Sequence, residues 1–189
     1  MMKSLVIATI TAFGSTLACA EPVTYVIDGK HTFPRFTYTH LGFSSQSSRF
    51  DKTAGTVVYD AAAGTGSVDV TIDMNSVSTG SDLFNDHIRG TEFLNVKDFP
   101  VGTFKSTAIR FKDGVPVSIA GNLTLKGVTK PVTLDVTSFK RGEHPMMHKD
   151  AIGANASTKI RRSEFNMGKF VPAVDDELTL TIALEAQRQ

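Results

Sequence analysis

From Ser67 to Met74, apolar and polar positions alternate without a break. Val68, Val70, Ile72 and Met74 fall on one face, and Ser67, Asp69, Thr71 and Asp73 on the other. A period of two predicts a β-strand with one dry face and one wet face. The pattern recurs along the chain. Val117, Ile119, Leu123 and Leu125 oppose Ser118, Asn122 and Thr124, and Val132, Leu134 and Val136 oppose Thr133, Asp135 and Thr137. Leu178, Leu180, Ile182 and Leu184 oppose Thr179 and Thr181, and Phe36, Tyr38 and His40 oppose Thr37 and Thr39. Turn signals at Asp28-Gly29, Gly64-Thr-Gly66, Asp113-Gly114 and Lys126-Gly127 punctuate these runs. No helical stripe is long enough to cover a sheet. Short antiparallel strands must then bury their apolar faces against one another, as a sandwich or a closed barrel. A barrel also removes exposed edges.

The alternation stops between Ser81 and Val96. Ser81 or Asp82 can cap a helix, and Leu83, Phe84, His87 and Ile88 come next at helical spacing. Gly90 ends that turn, a second short turn carries Phe93 and Leu94, and Pro100 blocks further helix. A short helical lid around residues 81–96, lying across one end of a barrel, is the expected element.

Residues 1–20 stand apart. Lys3, the apolar run Leu5–Phe13 and the closing Ala18-Cys19-Ala20 have the charged, apolar, small-residue order of a secretory signal. Cleavage after Ala20 is expected, with lipidation at Cys19 as the rival. Residues 21–189 show no linker, repeat or low-complexity tract and are read as one domain. Cleavage removes the only cysteine, and with it any disulfide, thiol nucleophile or Cys-based metal site. It also removes one of 20 basic residues, leaving a count equal to the 19 acidic ones. A neutral chain gives no electrostatic reason to expect nucleic acid. No later stretch is apolar for long enough to be a transmembrane segment. A soluble periplasmic protein is the expectation.

Candidate chemistry is sparse. His87 beside Asp86 and Glu92 could serve as an acid–base group, but consecutive helical residues point apart, which favours a histidine hydrogen-bonded within the lid. His144 and His148 bracket two methionines suited to soft metals, yet Pro145 opposes the helix that would bring them together, and no metal is expected. Arg161-Arg162 could receive an anionic head group or simply form a solvated edge. No nucleophile elbow, His-Glu-x-x-His motif or phosphate loop occurs. The positive signal is apolar: 13 phenylalanines and no tryptophan, several of the former on predicted strands or beside the lid. If the inward faces leave a channel, its lining of Val, Leu, Ile, Phe and Met suits an apolar ligand. Phe36, Tyr38, Val70, Ile72, Leu123, Leu134 and Leu180 are the inward candidates.

Several segments, in order, resemble one family. They are Tyr25-Val-Ile-Asp28 with His31, Phe36-Thr-Tyr-Thr-His40-Leu-Gly, Arg49-Phe50, and Asp86-His87-Ile-Arg89 through Glu92-Phe93 to Phe99-Pro100. Phe104-Lys-Ser106, Gly121 through Gly127-Val-Thr-Lys-Pro131-Val, Arg162-Ser-Glu-Phe165 and Asp175-Asp176-Glu-Leu complete the set. The chain resembles the YceI family of exported, polyisoprenoid-binding bacterial proteins. The resemblance implies a lipocalin-like, eight-stranded antiparallel β-barrel holding the tail of an isoprenoid lipid or quinone, with no catalytic residue and no cofactor. Lys30, Thr32, Ser48 and Asn166 depart from the family pattern, at turns and rims. Matching positions add His40, His87, Phe93, Phe104 and Arg162 as pocket or mouth residues. His40 would either offer a hydrogen bond to a quinone carbonyl or phosphate, or bond a backbone group in the barrel end. A filled barrel that binds partners outside, and a His-dependent enzyme acting on an isoprenoid, are the competing functions. Oligomeric state is open, and a homodimer is compatible with the sequence.

Overall fold

A computed structural model describes residues 21–189; the expected signal segment and Cys19 lie outside the described residues. The strands are β1 (Val23–Ile27), β2 (Phe33–His40), β3 (Ser44–Phe50), β4 (Thr53–Asp60), β5 (Thr65–Asp73) and β6 (Val77–Ser78). After helix α1 (Asp82–Arg89) come β7 (Val101–Lys112), β8 (Val115–Leu125), β9 (Val128–Glu143), β10 (Asp150–Arg161) and β11 (Glu177–Arg188). Eight of them close a ring, each antiparallel to the next: β1, β4, β5, β7, β8, β9, β10, β11 and back to β1. Of the sandwich and closed barrel that the alternation allows, the fold is the barrel, with the eight antiparallel strands that the family resemblance implies.

β11 is shared. Its C-terminal end, Ala186–Arg188, pairs with β1, and its N-terminal end, Thr179–Ala183, pairs with β2. β1 and β2 therefore lie end to end along one neighbour. Thr32 bridges the joint, its hydroxyl donating to the Glu185 carbonyl and accepting from the Glu185 amide. β3 continues outward from β2, and β6 from β3. The barrel splays at this end, and α1 fills the gap. Helix occupies only Asp82–Arg89 of the expected lid; residues 91–99 form turns tied back by Leu94 N–H to the Ile88 carbonyl and Val96 N–H to the Arg89 carbonyl.

Two hairpins turn on residue pairs with both φ positive, Asp113-Gly114 at 51° and 76° and Lys126-Gly127 at 47° and 74°. These are the primed turns that match strand twist. Three bulges were not legible in the pattern. Thr107 of β7, Val117 of β8 and Thr137 of β9 each stand opposite no partner in the register. Each reverses which residues face inward. So Pro116, not the expected Val117, lines the interior, while Ile119, Leu123 and Leu125 remain on that face.

The inward face of β8 also carries Gly121, directly beneath the Phe104 ring. A Cβ there would lie 2.5 Å from the ring and 2.6 Å from the Lys105 carbonyl oxygen. The glycine lets the ring lie flat against the wall. Gly121→Ala is expected to cost about 1–3 kcal/mol of stability through these clashes, read as a lowered urea midpoint; a midpoint equal to wild type would show that both the ring and the β7 backbone give way freely.

Candidate functional site

The barrel interior is hollow. An inner chamber of about 1330 Å³, counted out to its opening, lies between β4, β5 and β7–β11, and its exposed wall is wholly apolar. An outer chamber of about 920 Å³ lies beneath the lid. The space exists because several inward positions are small: Ala154 and Ala156 on β10 line the inner chamber where bulky residues would fill a barrel of this strand number.

The sequence candidates all reach this interior. Val70, Ile72, Phe104, Leu123 and Leu134 line the inner chamber. Tyr38, His40, His87, Phe93 and Arg162 line the outer one. Phe36 and Leu180 line both, and so do Phe50 and Leu125. Phe50 was not singled out from sequence because its inward position depends on pairing between β2 and β3. Phe84, Met167, Phe170 and Val174 of the outer wall come from irregular or helical segments, where a period of two gives no signal.

The far end is closed. Tyr59 packs against Phe111 at 6.0 Å and Phe139 at 5.5 Å, and its hydroxyl donates to the Gly114 carbonyl at 2.7 Å. Arg141 lies 5.7 Å over the Tyr59 ring and pairs with Asp150 at 2.7 Å. The buried Tyr25 hydroxyl donates to the same carboxylate. Burial, with that hydrogen bond next, pushes the Tyr25 phenol up to about 12. Arg141 holds the Asp150 carboxyl below the usual carboxylate range, with Tyr25 assisting.

The lid end is built differently. Ser81 caps α1, its hydroxyl accepting from the Phe84 amide. Buried Asn85 accepts from the Thr79 amide at 2.8 Å and the Thr79 hydroxyl at 2.9 Å. Arg89 donates to the carbonyls of Asn75 and Val77. These bonds staple the helix to β6. Lys126 Nζ ties the β8–β9 turn to the Thr91 and Asn166 carbonyls.

Arg162 corrects both readings of its basic run. It is neither a solvated edge nor a free anion ligand. It is 5% exposed, and its guanidinium donates to the carbonyls of Asp175, Met167, Lys169 and Val174. It clamps the loop from Asn166 to Asp176 while remaining in the outer wall. Burial draws its pKa down, but an arginine stays charged.

His87 is exposed and sits between aromatic rings, 5.9 Å from Phe84 and 4.9 Å from Phe93, rather than in the expected hydrogen bond. Asp86 pairs with Arg89 at 3.1 Å and does not orient the imidazole. His40 is exposed at the rim, where its backbone bridges to Val174. The rim continues apolar: Phe43 is 90% exposed at the β2–β3 turn and Leu83 84% exposed on α1. Outside this site, His144 Nδ1 accepts from the amides of Met146 and Met147, and His148 pairs with Glu143. Among the described residues, no three His, Cys, Asp or Glu side chains gather as a metal site, and no helix is long and apolar enough to cross a membrane.

A closed antiparallel barrel, hollow and apolar within and capped at one end by a short helix, is the architecture of internal-cavity binding barrels. A family model, the YceI-like domain, matches residues 25–186. Protein YceI of Salmonella arizonae is 38% identical over 192 residues, covering 100% of both chains. The chain belongs to the YceI family. Among solved structures, Burkholderia cenocepacia BcnA superposes with a TM-score of 0.73 at 27% identity, covering 85% of this chain and 99% of that one. The Campylobacter jejuni YCEI protein gives 0.69 at 26%, covering 80% and 90%. A polyisoprenoid binding domain from Saccharophagus degradans gives 0.65 at 16%, covering 88% and 99%, a likeness of fold.

Two outcomes test the two ends. Removing the Arg162 clamp, as Arg162→Met, leaves buried carbonyls unpaired and is expected to cost roughly 3 kcal/mol. Amides of residues 166–176 should lose hydrogen-exchange protection before those of β7–β10; uniform loss would mean that the clamp serves the whole barrel. At the far end, a depressed Asp150 pKa stabilises the fold above the unfolded value of about 3.9, and that contribution is lost as pH falls through the folded value. Asp150→Asn should therefore lose roughly 1–3 kcal/mol at pH 7, and the gap from wild type should shrink below about pH 4. Urea unfolding at both pH values checks it, a pH-independent gap pointing to packing alone.

Proposed function

We propose that this protein is a binding or carrier protein for lipids with isoprenoid chains, a polyprenyl phosphate or an isoprenoid quinone, working in the periplasm after cleavage of its N-terminal signal. The observation that carries the reading is the shape and lining of the interior: an apolar cavity in two joined chambers, closed at the Tyr59 end and reaching the surface under the lid. Such a space suits a long hydrocarbon better than a compact polar molecule. Each buried methylene contributes on the order of 0.8 kcal/mol, so a chain filling it binds tightly without strong polar contacts. Membership of the YceI family supports the reading, as does the polyisoprenoid binding by which the Saccharophagus degradans relative of this fold is described.

The head group is placed at the mouth. Burial raises the Tyr38 phenol, so its hydroxyl stays protonated and can donate. His40 and His87 flank the opening with exposed imidazoles, and the Arg162 charge lies in the same wall. This set suits a quinone carbonyl or a phosphate. No carboxylate orients His87, which favours binding over acid–base chemistry. The exposed Phe43 and Leu83 beside the mouth suit lipid pick-up from a bilayer surface.

The experiment is to purify the protein from the periplasm without detergent and extract it for lipid mass spectrometry. A stoichiometric prenyl lipid is the expected result. Protein that comes out empty, and that takes up neither an added prenyl quinone nor a polyprenyl phosphate, overturns the proposal in favour of an interaction module. Val70→Trp, which fills the inner chamber, is expected to weaken uptake of a long-chain prenyl quinone by about tenfold or more.

A further inference from the structure

The two chambers meet at a ring of shared side chains. Four side chains line both: Phe36, Phe50, Leu125 and Leu180. Three of them form one row. Leu180 of β11 is in register with Phe36 of β2, and the Phe36 ring lies 5.8 Å from that of Phe50 on β3. Leu125, at the end of β8, stands three ladder steps from β11 in a ring of eight strands, on the facing wall. Phe50 is 8% exposed and Tyr38 stacks on Phe36 at 6.4 Å, so packing on both sides fixes the row. Beyond this ring lies the inner chamber with its wholly apolar exposed wall.

We propose that the Phe36–Phe50–Leu125–Leu180 ring reads tail length. The inference rests on the isoprenoid reading of the site and adds a selection rule to it. A short prenyl tail occupies the outer chamber and stops at the ring. A long tail threads between Leu125 and the phenylalanine pair and gains the apolar contact of the inner chamber. Preference for long chains then comes from passage through one constriction, not from any head-group contact. Branching sharpens the rule, since the methyl of every isoprene unit must pass the same gap.

The test compares geraniol and solanesol, a short and a long prenyl alcohol with the same head group, delivered from cyclodextrin to the mature protein. Wild type should prefer solanesol. Leu125→Phe narrows the ring and should cut the ratio of the two affinities by about tenfold, with a cooperative urea transition reporting that the variant is folded. Phe36→Leu widens the ring and should raise the association rate of solanesol, relative to that of geraniol, by about tenfold. If Leu125→Phe does not fold, the Phe36→Leu rates decide alone. An unchanged affinity ratio in the folded Leu125→Phe variant, or unchanged relative rates in Phe36→Leu, overturns the ring as a length reader. Wild-type protein that binds both alcohols without preference overturns this inference while the carrier reading stands. Wild-type protein that binds neither alcohol overturns this inference, and the carrier reading then falls only if prenyl quinone and polyprenyl phosphate are refused as well.

Discussion

The structure depends on a short closure. Three residue pairs, Tyr25–Arg188, Val26–Gln187 and Ile27–Ala186, join the first strand to the last and turn an open meander into a ring. Without them β1 and the C-terminal end of β11 would be bare edges, open to pairing with other chains. Tyr25 and Ala186 are both fully buried at this seam. The Tyr25 hydroxyl reaches Asp150, which is held by Arg141 above Tyr59. Closing the sheet and closing the far end of the cavity are thus one construction, made by the same few side chains.

The closure is incomplete along β11, and the cavity results from that. Because β11 gives only its last three paired residues to β1, its other end is free to pair with β2. The wall there continues outward through β2, β3 and β6 instead of closing directly. A second chamber forms in the splay. Strand number sets a radius that side chains could just fill; Ala154 and Ala156 decline to fill it. Hollow space of this kind forfeits dispersion contacts among the wall residues. The protein accepts that loss over the length of its core, which is hard to explain for a domain whose only task is to be stable.

Much of this was legible in the chain, and the reasons for the rest are specific. Strict alternation in β5 or β11 leaves little freedom about which face is dry, so Val70, Ile72 and Leu180 could be assigned inward from spacing alone. The lid was visible as a gap in the rhythm with a serine cap. Bulges were not: Pro116 before Val117 is a residue that sheets admit at bulges, but only the missing partner of Val117 on β7 shows that Pro116 has taken the inward position. Arg162 misled for a related reason. Four carbonyl acceptors, from residues 5 to 13 positions along the chain, are invisible in sequence, so a buried clamp reads as an exposed charge. Phe50 needed the β2–β3 register to place it beside Phe36. Periodicity reports a strand's own faces; it does not report what stands across the barrel.

The difference between the two sides of the mouth bears on how the cavity is reached. α1 is held to β6 by side-chain hydrogen bonds from Asn85 and Arg89, besides the burial of Ile88. Lifting it would break several bonds at about 1 kcal/mol each, together with its apolar contacts. Across the opening the lid meets the 166–176 loop through ring contact, Phe93 to Phe170 at 6.3 Å, with Phe170 half exposed. One ion pair, Lys169 with Glu92 at 3.6 Å, is largely in solvent and contributes little. Turning those rings disturbs two aromatic contacts, Phe93 with Phe170 and Phe93 with His87, each on the order of 1 kcal/mol. On these energies the helix is the fixed wall, and the Phe93–Phe170 contact is the side of the outer chamber that yields most easily, since aromatic side chains rotate there without disturbing a backbone hydrogen bond.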